Sequence, residues 1–448
     1  MLRLILPIAA LLLGVALLLL GTGLLNTVVA VRGGLEGYSD GLIGIIMSGY
    51  FVGFFIGTFI AMPLIRRVGH IRAFALCAAL ASASALAYVL VIHPVVWGLL
   101  RVMTGVVLVI LYTISESWLN AQTPAAQRGR VFAIYMAVNL GSLAAAQQLL
   151  RLDATTSYLL FIIAGMLISV SLVPVAWTRM AQPAVHDAQR LRLRRLWSLA
   201  PLAVAASFLS GLAMGAFWGL GALYAGRIGL DASGIATFMT AAILGGAVLQ
   251  LPLGRLSDSF DRRLVLSAAS IAAAVGGVLL LALSGSERWV TIAIALYGGM
   301  AFAIYPVAIA HLVDHLSADD VLSGCSSLLL LHGVGAAIGP ALAGQIMEWT
   351  HLQALPLYFA ATHALLAAYA IRRLLRNRHD AEDHSSVFVP LVRTTPMAME
   401  MHLASATADE GSHENTATES HAPPDTDATP GRASDGPVND QPSPAGHP

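Results

Sequence analysis

A short charged segment between two long apolar runs decides the fold of this chain. Residues 254–263 read Gly-Arg-Leu-Ser-Asp-Ser-Phe-Asp-Arg-Arg, and five of these ten side chains carry a charge. The runs on either side, 233–253 and 264–284, carry none. A helix needs about 20 apolar residues to cross the hydrocarbon core of a bilayer. The stretch therefore predicts two membrane-spanning helices joined by a charged turn.

Similar apolar runs fill most of the chain. Of its 448 residues, 57% are hydrophobic and 11% are charged, and the mean hydropathy is +0.74. A soluble protein carries about 25% charged residues. The twelve predicted spans are 4–31, 41–65, 72–92, 95–119, 131–150, 157–178, 199–225, 233–253, 264–284, 289–312, 322–346 and 354–371. We therefore predict an all-α polytopic membrane protein with twelve transmembrane helices.

The composition also excludes several classes of function. All 25 basic residues are arginine, so the chain has no lysine for a phosphate-binding P-loop or for a Schiff base. The net charge is zero, whereas a nucleic-acid binder needs a basic excess. Cys77 and Cys325 lie far apart in apolar segments and predict no disulfide framework or zinc site. We expect no cofactor, no metal and no nucleic-acid partner.

The placement of arginine predicts the orientation in the membrane. When the connections between spans are taken alternately, one set holds eighteen arginines and the other holds four, namely Arg32, Arg151, Arg227 and Arg288. Arginine-rich connections stay on the cytoplasmic side. The first span exceeds the roughly 7–15 residues of a signal-peptide core, so we interpret it as a retained helix. The sequence predicts a multi-pass membrane protein with both termini in the cytoplasm.

The longest connection between spans divides the chain into two halves. We predict a first six-helix bundle over 1–178, a basic cytoplasmic linker over 179–198 and a second six-helix bundle over 199–372. Residues 373–448 contain, from His379 onward, twelve acids and two arginines among many small and polar residues. Such a composition buries too little apolar surface to offset the entropy of ordering. We predict a disordered acidic tail, whose six scattered histidines favour a solvated segment over a metal site.

The charged connections resemble the signature of a known family. Segment 254–263 resembles the Gly-x-x-x-Asp-Arg-x-Gly-x-Arg/Lys signature of the major facilitator superfamily, and 66–72 occupies the matching connection of the first half. Arg66 stands where the first copy should have its aspartate, and Asp261 replaces the second glycine of the other copy. In that family the loop braces the cytoplasmic helix ends. The gating residues implied by the resemblance are Arg66, Arg67, Asp258, Arg262 and Arg263.

Further strings narrow the resemblance to one branch. Segments 69–72, 116–120, 128–136 and 335–340 look like the bacterial YcaD-like branch of the superfamily. The resemblance covers residues 1–372 and leaves the tail outside. It implies two pseudo-symmetric six-helix bundles whose first, fourth, seventh and tenth helices line a central cavity.

Polar and aromatic residues in those four helices are the candidates for binding a substrate. They are Asn26, Arg101, Tyr112, Trp218, Tyr297 and Tyr305. Arg101 lies about six residues, or roughly 9 Å, inside its span, and a charge at that depth faces water or a partner. It suits anion binding, proton coupling or a tie to neighbouring helices. Asn26 suits a hydrogen bond to substrate as well as one between helices.

Three titratable residues are the candidates for coupling and gating. Glu116 lies near the cytoplasmic end of the fourth span, where we expect a gate salt bridge with Arg66, Arg67 or Arg130 rather than proton carriage. Asp314 is expected to serve the second half in the same way. His332 lies in the middle of the eleventh span, where it either carries a coupled proton or bonds two helices.

These observations predict a secondary transporter that works by alternating access. The predicted cavity is poor in charge, which favours proton-coupled efflux of a small, partly apolar solute. Uptake of a sugar or small organic ion by symport is the alternative. A membrane enzyme is a weaker reading because the chain has no His-Glu-x-x-His and no Gly-x-Ser-x-Gly motif. We expect the partners to be the small solute and the bilayer, and the protein to be a monomer.

Overall fold

The structure, a computed structural model, describes residues 2–124, 127–177, 191–350 and 354–376, and Thr395. Its α-helices are α1 (Leu2–Leu35), α2 (Asp40–Val68), α3 (His70–Leu90), α4 (Pro94–Gln122), α5 (Arg128–Gln148), α6 (Leu159–Val170), α7 (Leu172–Trp177), α8 (Leu193–Leu199), α9 (Pro201–Arg227), α10 (Ala232–Ser259), α11 (Arg262–Ala282), α12 (Glu287–Val313), α13 (Val321–Thr350) and α14 (Ala354–Arg376). Two short 3₁₀ turns, Leu149–Leu152 and Ala318–Asp320, complete the described elements.

Each predicted span coincides with a helix long and apolar enough to cross a membrane. The described ranges contain twelve such spans, and α6 and α7 together form the sixth, Leu159–Trp177. The twelve-helix prediction is therefore confirmed. Several helices continue beyond the predicted limits, as α14 does to Arg376. The backbone gains hydrogen bonds by continuing, while long arginine side chains reach the interface from the last turn.

The parts predicted to be irregular lie mostly outside the described residues. Of the linker predicted over 179–198, residues 191–198 are described, and most of them belong to the short helix α8. The disorder predicted for the tail likewise falls outside the described residues, apart from the end of α14 and Thr395.

Side-chain caps and one glycine define the connections between spans. The side chain of Ser39 accepts a hydrogen bond from the backbone of Leu42 at the start of α2, and Asp231 caps α10 in the same way. Such caps satisfy backbone N–H groups that have no partner within the helix. Gly69 alone separates α2 from α3, at a φ of 82° that favours glycine. These three connections therefore turn the chain sharply between consecutive spans.

The same packing pattern occurs in both halves of the molecule. In the first half α2 packs on α4, α3 on α6, and α1 on α5 and α6. In the second half α10 packs on α12, α11 on α14, and α9 on α13 and α14. The pairs of the two halves correspond when the spans are taken in chain order, with α6 and α7 counted as one span. The fold is therefore two pseudo-symmetric six-helix bundles, as predicted.

Glycines let the paired helices approach at equivalent places. A Cβ atom on Gly53 of α2 would overlap the carbonyl oxygen of Val102 in α4. In the second bundle a Cβ atom on Gly245 of α10 would overlap the carbonyl oxygen of Ala295 in α12. Close backbone contact of this kind is typical of membrane helices, which gain little from apolar burial against each other.

The two bundles are bonded to each other on one side of the membrane. We define the far side as the side on which α1 ends and α2 begins, and the linker side as the opposite one. On the far side Arg227 Nη2 lies 3.1 Å from Asp40 Oδ1, and Glu348 Oε2 accepts a hydrogen bond from the backbone N of Gly41 at 3.0 Å. Arg151 Nη2 also donates to Thr237 Oγ1 at 2.7 Å. These contacts join α2, α9, α10, α13 and the 3₁₀ turn after α5, and they close the far side.

Candidate functional site

A buried arginine and an asparagine meet where the two bundles face each other. Arg101 of α4 is 2% exposed and lies seven residues after Pro94, or roughly 10 Å inside the far-side boundary. Its guanidinium donates a hydrogen bond to Asn26 Oδ1 of α1 and lies over the ring of Tyr50, with 5.4 Å from Cζ to the ring centroid. A charge at membrane depth is costly unless it is paired or used. The structure brings together two residues that the sequence analysis selected separately.

Asn26 extends this contact across the interface between the bundles. Its Nδ2 donates to the backbone carbonyl of Trp218 in α9 at 2.7 Å. Because Oδ1 accepts from Arg101, the amide is oriented with its N–H groups toward the second bundle. The series Arg101–Asn26–Trp218 therefore links three of the four helices that the resemblance places around the cavity.

The aromatic candidates divide into two groups. Trp218 is 7% exposed and its ring lies 5.9 Å from that of Phe302, next to the Asn26 contact. Tyr297 stacks on Phe359 of α14, with 4.7 Å between ring centroids. Its ring thus lies between two helices of the second bundle, and this position favours packing over the predicted contact with a substrate.

Tyr112 lies inside the first bundle. It is 1% exposed, and its ring centroid is 6.3 Å from that of Phe54 in α2. Its predicted part in lining the cavity stays a prediction.

A second polar group forms around His332 of α13. Its Nδ1 lies 3.2 Å from the carbonyl oxygen of Ser207 and 3.2 Å from the hydroxyl of Ser210, both in α9. A carbonyl oxygen only accepts, so Nδ1 carries the proton in the neutral ring and Nε2 keeps its lone pair. The ring of Tyr305 lies 4.3 Å away, and among the described residues its buried hydroxyl has no hydrogen-bond partner.

Sequence reasoning missed both serines of this group. Ser207 and Ser210 lie in an apolar helix and carry no signal that distinguishes them from serines that bond within their own helix. Tyr305 and His332 were selected, but 27 residues and a helix connection separate them in the chain, so their ring contact depends on the packing of α12 against α13.

Glu116 lies at the linker side of the first bundle and is fully buried. Its Oε1 accepts a hydrogen bond from the hydroxyl of Tyr135 in α5 at 2.8 Å. Its Oε2 accepts from the backbone N of Thr395 at 3.0 Å and from the hydroxyl of the same residue. Neither donor was anticipated from the sequence. The gate pairing expected with Arg66, Arg67 or Arg130, whose side chains are exposed, stays a prediction.

The corresponding place in the second bundle holds a buried ion pair. Arg262 Nε of α11 lies 2.8 Å from Asp314 Oδ2 at the end of α12, and both side chains are almost fully buried. Arg262 Nη2 also lies 3.6 Å from Asp258 Oδ1 in α10. The family signature thus brings α10, α11 and α12 together on the linker side. Whether the group opens and closes as a gate stays a prediction.

Asp261 explains one departure from the family signature. Its carboxylate accepts a hydrogen bond from the backbone N of Arg263 at 2.8 Å and so caps α11. Arg263 also forks onto the same carboxylate, with Nη2 2.9 Å from Oδ2. Burial by itself would raise the pKa of Asp261, but the hydrogen bonds and charge of Arg263 outweigh it, and the net pKa is lowered.

Comparisons with known proteins agree with the family resemblance and with the fold. A family model described as Major Facilitator Superfamily matches residues 203–399. The uncharacterized MFS-type transporter YcaD of Escherichia fergusonii is 28% identical over 344 residues, which cover 76% of this chain and 89% of the relative. YcaD of Escherichia coli strain IAI39 is 28% identical over 345 residues, with the same coverage of both chains. The match to the family model runs beyond residue 372, where the resemblance stated from the sequence ends.

Solved structures share the fold at low sequence identity. The nucleoside transporter NupG has a TM-score of 0.66 and 15% identity, covering 82% of this chain and 98% of its own. A bacterial homolog of the human lysosomal transporter Spinster, in an inward-facing and occupied conformation, has a TM-score of 0.62 and 18% identity, with 85% and 98% coverage. A D-xylose-proton symporter has a TM-score of 0.61 and 12% identity, with 82% and 96% coverage.

The fold and the relatives of this chain are those of membrane transporters and not of enzymes. Residues 203–399 match the model of the major facilitator superfamily, and the chain resembles the YcaD-type members of that superfamily. The family resemblance stated from the sequence is thereby confirmed.

Proposed function

We propose that the protein is a secondary transporter that moves a small, partly apolar solute by alternating access, with proton-coupled efflux as the direction. The observation that carries this proposal is the Arg101–Asn26–Trp218 series at the interface between the bundles. A polar link at that depth is available to a solute and breaks when the bundles rock apart. The bonded far side supports a state whose cavity is reached from the linker side.

The arginine bias supports the orientation of this state. With the eighteen-arginine set of connections in the cytoplasm, the linker side is cytoplasmic and the far side is periplasmic. Both termini then lie in the cytoplasm of a bacterial inner-membrane protein. Because one chain supplies both bundles, we propose that the monomer is the transporting unit. Tags near residues 185 and 440 test the topology, and their appearance on opposite faces would contradict it.

The walls of the proposed cavity support a solute of mixed polarity. Trp218, Phe302 and Tyr305 supply aromatic surface, whereas Asn26 and Arg101 supply hydrogen-bond donors. Pockets with mostly apolar walls and a few placed polar groups suit such ligands. Symport of a sugar, nucleoside or small organic ion into the cell is the alternative. It is favoured by the structural neighbours, which include a nucleoside transporter and a D-xylose-proton symporter.

His332 is the proton acceptor that the geometry favours. Its Nδ1 is directed to the carbonyl of Ser207, which leaves Nε2 as the basic nitrogen, and the ring lies against Tyr305. Protonation there would add a charge beside an aromatic face, where the ring quadrupole attracts a cation. Glu116 and Asp314 remain the other coupling candidates.

Flux in proteoliposomes tests whether the protein is a transporter and whether transport is coupled to protons. Thermal shifts across a library of nucleosides, pentoses and amphipathic drugs identify a compound, whose movement is then followed with and without an imposed pH gradient. We expect flux of the unchanged compound and an accompanying pH change inside the vesicles. A chemically altered product would contradict transport, and equal flux without the gradient would contradict coupling.

The coupling residue is tested by neutral replacement. We expect His332→Gln to retain binding of the compound in the thermal-shift assay and to lose the response of flux to the pH gradient. His363→Gln, which replaces a buried histidine of α14 that bonds within its own helix, is the matched control. Full gradient response in His332→Gln, Glu116→Gln and Asp314→Asn would overturn all three coupling assignments.

A further inference from the structure

We propose that Glu116 is the docking point for the protein's own C-terminal segment, which binds the first bundle through Thr395. One oxygen of the buried carboxylate accepts hydrogen bonds from both the backbone N and the hydroxyl of Thr395. Thr395 itself is 1% exposed. A residue of the tail predicted to be disordered is therefore enclosed beside a buried carboxylate.

The receptor side of this contact is built by two packed helices. Glu116 belongs to α4, and its second oxygen is held by the hydroxyl of Tyr135 from α5. Tyr135 is fully buried, and its backbone carbonyl accepts from the side chain of Asn139 at 2.9 Å. The carboxylate is thus oriented from within the first bundle and presents its other oxygen to an incoming donor. Hydrogen bonds to a charged acceptor are stronger than those between neutral groups.

The docked residue belongs to a chain segment that starts on the other bundle. Helix α14 ends at Arg376 and packs on α9, α11 and α13 of the second bundle. Thr395 follows nineteen residues later, and an extended chain of that length reaches up to roughly 60 Å. The chain is therefore held at Arg376 on the second bundle and again at Thr395 on the first bundle, both on the linker side.

Docking of this kind opposes movement between the bundles. Rocking that opens the far side brings the linker-side ends of the two bundles together, so it narrows the space that Thr395 occupies beside Glu116. The segment is expected to stabilise the state in which the far side is closed. This effect on transport rests on the proposed function, whereas the docking itself does not.

Proteolysis of the full-length protein tests the docking without any substrate. Trypsin cleaves after Arg393, which places Thr395 two residues beyond the broken bond, and a protease needs these residues extended and accessible. In detergent-solubilised protein we expect cleavage after Arg393 to be about tenfold slower than in the same protein unfolded, since cleavage follows the population of the open form. Mass spectrometry of the released C-terminal fragments measures both rates.

Matched variants assign the protection to the contact. Thr395→Val removes the hydroxyl and keeps the shape, Glu116→Gln removes the charge of the acceptor, and Thr394→Val makes the same change one residue earlier. For each variant, the protection is the rate of cleavage after Arg393 in the unfolded protein divided by the rate in the folded protein. We expect the protection to fall severalfold in Thr395→Val and Glu116→Gln and to stay in Thr394→Val.

Hydrogen exchange at the amide of Thr395 gives a second measurement if Glu116→Gln folds poorly. In the otherwise unchanged protein, that amide should exchange more slowly than the amide of residue 395 does in Thr395→Val. The proposal is overturned if the bond after Arg393 is cut as fast in the folded as in the unfolded protein. It is also overturned if Thr394→Val loses as much protection as Thr395→Val.

Discussion

Two buried arginines are held in different ways, and the difference determines what each can do. Arg101 donates to the neutral amide of Asn26 at the interface between the bundles, whereas Arg262 lies beside the carboxylates of Asp314 and Asp258 within one bundle. A carboxylate partner makes Arg262 a structural tie that is costly to break. A neutral partner leaves Arg101 better suited to a group that arrives with a solute.

Removal of one partner from the buried ion pair on the linker side should strongly destabilise the second bundle. Asp314→Leu leaves Arg262 buried with a weakened set of partners, and we expect a loss of about 3–5 kcal/mol in the free energy of unfolding. The double variant Arg262→Met with Asp314→Leu should recover most of it. Unfolding in SDS measures both.

A more exposed ion pair between the linker helix α8 and the second bundle is the control. Arg195 and Asp320 lie 2.6 Å apart, with side chains 55% and 24% exposed. Asp320→Asn should change the free energy of unfolding by less than about 1 kcal/mol. An equal effect of the two single variants would contradict the assignment of a buried tie.

Among the helices, the equivalent pairs α2 with α4 and α10 with α12 pack closely in the same way. Gly53 in α2 and Gly245 in α10 both lie against a backbone carbonyl of the helix two positions later. The repeat thus extends from helix order to the sites of backbone contact. The loops differ more, because Gly69 joins α2 to α3 alone, whereas Asp261 caps α11.

Close packing of α2 on α4 makes Gly53 sensitive to a single methyl group. Gly53→Ala forces the new Cβ against the Val102 carbonyl, which belongs to the backbone and moves only with its helix. We expect a loss of about 1–3 kcal/mol in the free energy of unfolding. Gly98→Ala, on α4 itself, has open space and should be neutral or stabilising by up to about 1 kcal/mol. Chemical unfolding of both variants measures the difference.

The cap of α11 should make the stability of that helix depend on pH. Because the pKa of Asp261 is lowered in the folded state, its contribution is present above the ordinary aspartate pKa and is lost as the pH falls through the folded value. Asp261→Ser keeps a capping oxygen but has no charge to titrate. The difference in melting temperature between the two proteins should be constant above about pH 5 and shrink toward about pH 3. A constant difference across this range would contradict the cap.

For the whole molecule, the contacts between the bundles indicate one end state of a transport cycle. They connect α2 with α13 and α5 with α10 on the far side, and Asn26 adds a bond nearer the centre. The contact of Thr395 with Glu116 lies on the opposite side. Conditions that weaken the far-side contacts or the Thr395 contact are expected to shift the population between the states of the transport cycle.

Asn26→Asp should loosen the far side. The carboxylate keeps Arg101 as a partner but has no N–H to donate to the Trp218 carbonyl, and two oxygens in contact repel. We expect the distribution of far-side distances to broaden toward longer values, measured by electron spin resonance between labels at Leu35 and Trp349, which are exposed.

Thr22→Val provides the control for this measurement. The Thr22 hydroxyl bonds to the carbonyl of Leu18 in its own helix, so its loss leaves the contact between bundles intact. The labels require replacement of Cys77 and Cys325, both buried. Equal distance distributions in Asn26→Asp and the parent protein would show that this bond does not hold the bundles together.

Hydropathy and arginine placement were enough to predict twelve helices in two halves, because the thickness of the bilayer acts on each run of residues separately. The same local reasoning selected Asn26, Arg101, Glu116 and His332, since a polar group at membrane depth is costly wherever the chain later goes. It also found the signature around Asp258.

The partners of these residues depended on how the helices pack. Asn26 meets the carbonyl of a residue 192 positions away, and Glu116 meets Thr395 at a separation of 279. The resemblance selected Tyr297 as a cavity residue from its helix alone, and only the packing shows that its ring stacks on Phe359. Which side of a helix faces the cavity depends on the rotation and packing of all its neighbours, and that information is distributed over the whole chain and not contained in any one segment.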